Sequence, residues 1–314
     1  MNRRMDSLPH ACGAVLPLFQ ILFVFAGLHL ILLASAGISG EPVRVMSYNI
    51  RYGTAADGEN HWNLRKENLA ALIERFGPDL LGTQETLADQ HDFLQERLPG
   101  YESYGVGRED GVRKGEMASV FWKSDRWRCV DRGTFWLSET PDQVASRGWD
   151  AALPRVATWV LLREVHREDA ADVLWINVHF DHRGAKARLE SARLLTRWAL
   201  ERSRLSPSQG CDVLVTGDFN AGEDSDPYQS LFVQDASAGK PSFLRDAFRA
   251  VHSQRGDHEG TFSGFDLANS NGERIDWIAV SSNWKVLESS IDRTADSEGR
   301  TPSDHFPVTA IMAR

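Results

Sequence analysis

Residues 173–220, VLWINVHFDHRGAKARLESARLLTRWALERSRLSPSQGCDVLVTGDFN, carry the pattern that decides the fold. VLWINVH (173–179) is an apolar stretch of strand length that ends on a histidine. From about Ala185 to Arg204 the residues Leu189, Ala192, Leu195 and Ala199 recur at helical spacing and share one face. Val213–Thr216 is a second buried strand, and it runs into Gly217-Asp218-Phe219-Asn220. Strand, helix and strand in this order make one βαβ passage, and a similar one lies near the start. VRVMSYN (43–49) alternates as a strand does, and Asn63 can cap a helix carrying Leu69, Leu72, Ile73 and Phe76. Gly77-Pro78 ends that helix, DLLGTQE (79–85) is a short buried strand, and another helix follows near Leu87–Leu98. β signals fill much of the remainder: Ser119–Trp122, Trp127–Leu137, Ala157–Val165, Arg274–Val280, Lys285–Ile291 and Val308–Met312. Together they predict an α/β fold, a four-layer sandwich of two packed, mostly antiparallel β-sheets flanked by helices.

The composition is that of a globular protein: 314 residues, 42% hydrophobic and 25% charged, with no low-complexity linker. The N-terminus stands apart. After Arg3, Arg4 and Asp6 no charged residue appears until Glu41, and AVLPLFQILFVFAGLHLILL (14–33) is strongly apolar. With the small triplet Ala34-Ser35-Ala36 behind it, this segment reads as a signal peptide cleaved after Ala36, or as an uncleaved membrane anchor. Residues 1–40 are therefore assigned to a leader or membrane tether and residues 41–314 to the domain. The expected location is exported: periplasmic or extracellular, free or membrane-anchored. A net charge of −9 argues against a protein that coats nucleic acid, though not against a small local basic groove. Cys129 and Cys211 could pair in an oxidising compartment, but Cys211 opens a predicted buried strand, where a thiol serves as a small hydrophobe.

Polar residues fall at the ends of predicted strands. Asn49, Glu85, His179, and Asp218 with Asn220 close four of them, while Asp276 and Asp304-His305 open two late ones. Each has an ordinary explanation singly: a turn for Asn49 or Asp218-Phe219-Asn220, a helix-start carboxylate for Glu85, a core histidine for His179. Six such placements together point to one pocket at the sheet ends. Breaking a phosphate ester needs neutralised negative charge, a positioned water and a proton for the leaving oxygen. Carboxylates and amides suit Mg²⁺ or Mn²⁺, and histidines with aspartates suit proton transfer.

The ordered segments MSYNIRYG (46–53), GTQE (82–85), NVHFDH (177–182), TGDFNA (216–221), GTF (260–262), RIDWIAV (274–280) and SDHFPV (303–308) resemble the motifs of the endonuclease/exonuclease/phosphatase superfamily. That superfamily has the deoxyribonuclease I-like fold, and the resemblance spans roughly residues 43–312. RGTFWLSETP (132–141) and RGWDAALPR (147–155) resemble an exported bacterial branch of it. The resemblance implies that Glu85 is the principal metal ligand, with Asn49 beside it and Asp304 completing the shell. Asp218 would activate the water or protonate the leaving group, and Asn220 would hold a phosphate oxygen. His179 and His305 would donate to the phosphoryl group, with Asp276 fixing the tautomer of His305. Many relatives have an acidic residue two places after the first Asn; this chain has Arg51, a candidate for substrate contact together with Asp181, His182 and Arg183. Arg155 and Arg188 are further phosphate candidates, and Trp62, Trp136, Trp149 and Trp159 are candidate ring platforms. The activity so implied is magnesium- or manganese-dependent hydrolysis of a phosphodiester in nucleic acid or a small or lipid-linked molecule, by a monomer. A phosphomonoesterase acting on a sugar or inositol phosphate is the alternative, and a non-catalytic exported binding protein is the third reading.

Overall fold

Along the strand Asp172–His179 every residue is buried, because both faces are covered and successive side chains enter different cores. Val173 and Trp175 point into one apolar cluster; Leu174, Ile176 and Val178 point into another. The computed structural model describes residues 40–167, 169–205, 210–233 and 242–314. In chain order its strands are β1 (Val43–Asn49), β2 (Leu80–Thr86), β3 (Tyr101–Tyr104), β4 (Met117–Lys123), β5 (Trp127–Trp136) and β6 (Val156–Glu164). They continue with β7 (Asp172–His179), β8 (Cys211–Asp218), β9 (Arg245–Asp246), β10 (Asp276–Val280), β11 (Lys285–Ile291) and β12 (Val308–Ala313). The helices are α1 (Trp62–Phe76), α2 (Ala88–Arg97), α3 (Ala185–Arg204), α4 (Asp226–Phe232) and α5 (Ala247–Val251).

The strands form two six-stranded sheets, ordered β11-β12-β1-β2-β4-β3 and β5-β6-β7-β8-β10-β9. Only β1–β2 and β7–β8 pair in parallel, each joined through a helix as a βαβ crossover requires. The two sheets repeat one plan, so Asn49 lies beside Gln84 at the tip of one parallel pair and His179 beside Asp218 at the tip of the other. Side chains such as Val45, Leu80 and Trp122 meet Leu162, Trp175 and Ile278 between the sheets. α3 and α4 cover the outside of one sheet, and α1 and α2 the outside of the other, which completes the four layers.

α1 begins two residues earlier than the sequence suggests. Its cap is His61, whose Nδ1 accepts from the Asn63 backbone at 3.3 Å, so Asn63 lies inside the helix. Gly77, at φ 62°, ends the helix in the left-handed conformation that glycine adopts without strain. Cys129 and Cys211 are free thiols. Of the leader or anchor expected over residues 1–40, all but Gly40 lies outside the described residues, and among the described ones no helix is long and apolar enough to cross a membrane.

A polar bridge crosses the inter-sheet core directly below the strand tips. Asn177 donates to the carbonyls of Thr83 and Ser119 at 2.8 and 2.9 Å, and accepts from Gln84 at 2.7 Å and from Thr216 at 3.0 Å. Gly82 leaves room for it, since a Cβ there would sit 2.4 Å from the Thr216 hydroxyl. Removing this amide strands two buried carbonyls and two donors, each costing about 1–3 kcal/mol. Asn177→Ala is expected to lower unfolding free energy by at least about 3 kcal/mol in urea titration. A loss under about 1 kcal/mol would mean that water replaces the bridge.

The same region carries an acid-sensitive group. His91 bonds to Ser119 at 2.9 Å and Ser103 at 3.0 Å, and burial, opposed by Asp92 and helped by Arg113, lowers its pKa to about 4. The unfolded histidine titrates near 6.5, so the stability His91 permits is complete above that value and is lost as pH falls towards 4. His91→Asn should therefore flatten the drop in Tm between pH 7 and pH 4.5; an unchanged slope would place the acid sensitivity elsewhere.

Candidate active site

The tips of both parallel pairs open into one cleft of about 710 Å³, which receives Glu85, His179, Asp218, Asn220, Asp304 and His305. Backbone strain gathers here. Arg51, Glu85 and Asn220 have φ of 57°, 57° and 48°, in the left-handed region that non-glycine residues rarely adopt. For Glu85 the cause is a break in the β2–β4 register between Thr83 and Thr86, a bulge that turns its carboxylate towards the cleft.

Asp218 lies at the centre, 1% exposed. Its Oδ2 accepts from the Asn49 amide at 2.9 Å and lies 3.5 Å from His179 Nε2 and 3.8 Å from His305 Nε2. Its Oδ1 accepts from the Asn220 backbone at 2.9 Å. Burial and the neighbouring Asp276 push its pKa up to about 7, against the pull of His305 and Asn49. Behind it, Asp276 Oδ2 is 2.8 Å from His305 Nδ1. Burial disfavours the imidazolium, yet Asp276 and Asp218 outweigh it and hold His305 well above the ordinary histidine range. With Nδ1 engaged by Asp276, His305 turns its Nε2 to Asp218 and the cleft.

The two amides have fixed orientations. Asn49 accepts from the Arg51 backbone through its oxygen at 3.0 Å, so its nitrogen is what faces Glu85, at 3.1 Å, and Asp218. Asn49, expected beside the metal, thus bridges the carboxylates of Glu85 and Asp218 through its amide nitrogen. Asn220 donates through one nitrogen to the Phe180 carbonyl and to His179 Nε2, both at 3.1 Å. His179 is accordingly neutral, with its proton on Nδ1 facing Glu116 at 3.7 Å. Burial and then Arg155 and Arg108 keep it well below the usual range. Its Nε2 lies at the cleft between Asn220 and, at 3.5 Å, Asp218.

The expected substrate contacts fare unevenly. Arg51 lines the cleft, but its guanidinium is held by Asp57 at 2.9 and 3.0 Å and lies 3.6 Å from Asp304. Asp181 is buried and caps its own loop, accepting from Arg183 N, Gly184 N and Leu153 N. Its pKa of about 2 reflects burial overcome by the backbone N–H groups of Gly184, Ala152 and Arg183 and by the charge of Arg155. Arg183 does not reach the cleft, and Arg188 is spent on the Asp181 carbonyl at 3.0 Å. None of the four candidate tryptophans lines it either. His182 and Arg155 do. Sequence reasoning missed Glu116, Asn269 and Glu273. A lone Glu immediately before the strand at Met117 was the available signal for Glu116, of the same kind as Asp276.

A divalent cation fits this set. Burial and the charge of Glu85 raise both Asp304 and Glu116, the like-charge crowding that a cation relieves. Asp218, Asp276 and His305 also bring ligand atoms within 4.8 Å of one another. Within this group Asp276 Oδ2 is 2.8 Å from His305 Nδ1 and Asp218 Oδ2 is 3.8 Å from its Nε2, the spacing of a proton relay.

Fold and site together define a phosphoesterase of the deoxyribonuclease I-like architecture. The chain belongs to the endonuclease/exonuclease/phosphatase family, whose model matches residues 46–305. An endonuclease/exonuclease/phosphatase family protein of Bacteroides thetaiotaomicron is 33% identical, with a TM-score of 0.76 over 88% of this chain and 96% of that one. A mannosyl-6-phosphatase from the same species is 34% identical, with a TM-score of 0.75 over 87% and 100%. The human nocturnin catalytic domain, at 18% identity and TM-score 0.66 over 88% of this chain and 96% of that one, shares the fold. No curated protein sequence matches the chain.

Proposed function

We propose that this protein is a divalent-metal-dependent phosphomonoesterase acting on a small sugar-like phosphate. The observation that carries the hydrolytic reading is the buried Asp218 carboxylate, held by Asn49 at 2.9 Å and 3.8 Å from the Nε2 of a histidine whose Nδ1 is backed by Asp276. Glu85 and Asp304 would hold Mg²⁺ or Mn²⁺, which when bound offsets negative charge on the phosphoryl group. Asp218 takes a proton from the attacking water, whose oxygen bonds to phosphorus as the ester P–O bond breaks. His305 gives its Nε2 proton to the departing alkoxide, and Asp276 steadies the ring throughout. Asn49 orients Asp218 and Glu85, and Asn220 orients His179.

Three observations favour a small monoester over the phosphodiester suggested by sequence. Beyond the strand tips the cleft is lined by Glu116, Glu273 and Asn269, and among the described residues its arginines are Arg51 and Arg155, too few for a track along a polyanion. Phe262 is 47% exposed and stands edge-on to His305 at 5.3 Å, a ring placed to pack on a sugar face. The 34% identical relative is named for a mannosyl 6-phosphate activity. A leader at residues 1–40 would place the reaction outside the cytoplasm, and a monomer would suffice for it. Purified protein with Mg²⁺ should release phosphate from hexose 6-phosphates and nitrophenol from nitrophenyl phosphate. Turnover of a dinucleotide without turnover of either monoester would restore the diester reading; inertness towards all would leave the binding-protein reading.

A further inference from the structure

One carboxylate at the cleft is engaged by nothing else. Among the described residues that line it, Glu116 is gripped by Arg108, Glu85 and Asp218 accept from Asn49, and Asp304 has Arg51 at 3.6 Å. Glu273 is exposed, and among the described residues its side chain has no hydrogen-bond or ion-pair partner. It is nonetheless held in place. Its carboxylate lies on the backbone of Gly222, where an added Cβ would collide with the carboxyl carbon. Its carbonyl accepts from Thr261 N at 3.3 Å, and the Thr261 hydroxyl accepts from the backbone of Ile275 and Asp276 at 3.0 and 3.2 Å.

The same loop brings two more groups to the cleft, Phe262 and Asn269. Phe262 pairs its backbone with His305, and Ser263 and Gly264 donate to the Asp304 carbonyl at 2.6 and 3.0 Å. Asn269 donates through Nδ2 to the Ser263 carbonyl at 3.1 Å, which fixes the amide and leaves its oxygen as a free acceptor. Gly264 shows that ring and amide are neighbours, since a Cβ there would stand 3.7 Å from both Asn269 Nδ2 and Phe262 Cε1. A carboxylate, an amide oxygen and an exposed ring therefore stand on one loop that is bonded to the segments carrying Asp276 and His305. A carboxylate without a cation repels a phosphate dianion, so Glu273 does not serve the phosphoryl group. Hydroxyls are the donors that such acceptors take, and a pyranose offers several of them beside an apolar C–H face that suits a ring. Both acceptors are set before the substrate arrives, so little ordering is needed to engage it.

Resting on the phosphomonoester reading above, we propose that Glu273, with Asn269 and Phe262, forms a hydroxyl-reading subsite that makes this cleft selective for sugar phosphates over alkyl and aryl phosphates.

Steady-state kinetics of the full chain in Mg²⁺ on mannose 6-phosphate, glucose 6-phosphate and nitrophenyl phosphate test this. The measure is kcat/KM for the better hexose phosphate divided by that for nitrophenyl phosphate, which has the same phosphoryl group and no hydroxyl. Glu273→Ala should lower this ratio at least about tenfold, the scale of a lost hydrogen bond to a charged acceptor. Gly222→Ala, which keeps the carboxylate but pushes it aside, should move the ratio in the same direction. An unchanged ratio in Glu273→Ala overturns the subsite. Both values rising together would make Glu273 a bare charge near the dianion, and both falling together would make it a structural part. A wild type that cleaves nitrophenyl phosphate and neither hexose phosphate also overturns the subsite, and leaves a phosphomonoesterase of other specificity. A wild type inert on all three would instead refute the phosphomonoester reading itself.

Discussion

Asp218→Asn should lower kcat by at least about a hundredfold while leaving Tm within a few degrees of the wild type. The substitution keeps the shape of the side chain and its contact with the Asn220 backbone, while it removes the ability to take a proton and the acceptor that Asn49 uses. It also removes the carboxylate that, after Asp276, holds His305 protonated, so base and acid are weakened together. His305→Ala should cost a similar factor, and the double variant little more, because the two act on one proton path. Near-normal turnover by Asp218→Asn in steady-state assays would remove the residue from the mechanism.

Loss of the cation should have the other large effect. EDTA should abolish turnover and excess Mg²⁺ or Mn²⁺ should restore it, since the crowded carboxylates around Glu85 and Asp304 otherwise repel a phosphate dianion. Glu85→Gln removes one charge from that set. It should raise the Mg²⁺ concentration for half-maximal rate and lower the rate at low metal by at least about a hundredfold. Full activity in chelator would contradict the assignment, as would an unaltered metal requirement in Glu85→Gln.

The sequence showed the frame of this site better than its detail. Both βαβ passages, their helices and most long strands follow from apolar periodicity, which is the imprint of burial. β3 and β9 escaped notice because four and two residues are too few for a period to show. Polar residues at strand ends pointed to the cleft, and the structure brings Asn49, Glu85, His179, Asp218, Asn220, Asp304 and His305 together there. What the pattern could not reveal was the direction of each atom. The Asn49 oxygen goes to a backbone N–H two residues on, and Asp181 turns back to cap its own loop. Asp181 and Arg183 seemed to belong to the site because they adjoin His179 in sequence. After the strand ends, though, the chain turns to enter α3, and neighbours diverge. Glu116 is the reverse case, distant in sequence from every motif and carried in by β4 pairing next to β2.

An anomalous difference map from crystals grown with Mn²⁺ and phosphate would test the arrangement most directly. The expected peak lies against the carboxylates of Glu85 and Asp304, with Asp218 and His305 free to face the phosphate. A peak enclosed instead by Asp218, Asp276 and His305 would turn the proposed proton relay into a ligand set and contradict the mechanism.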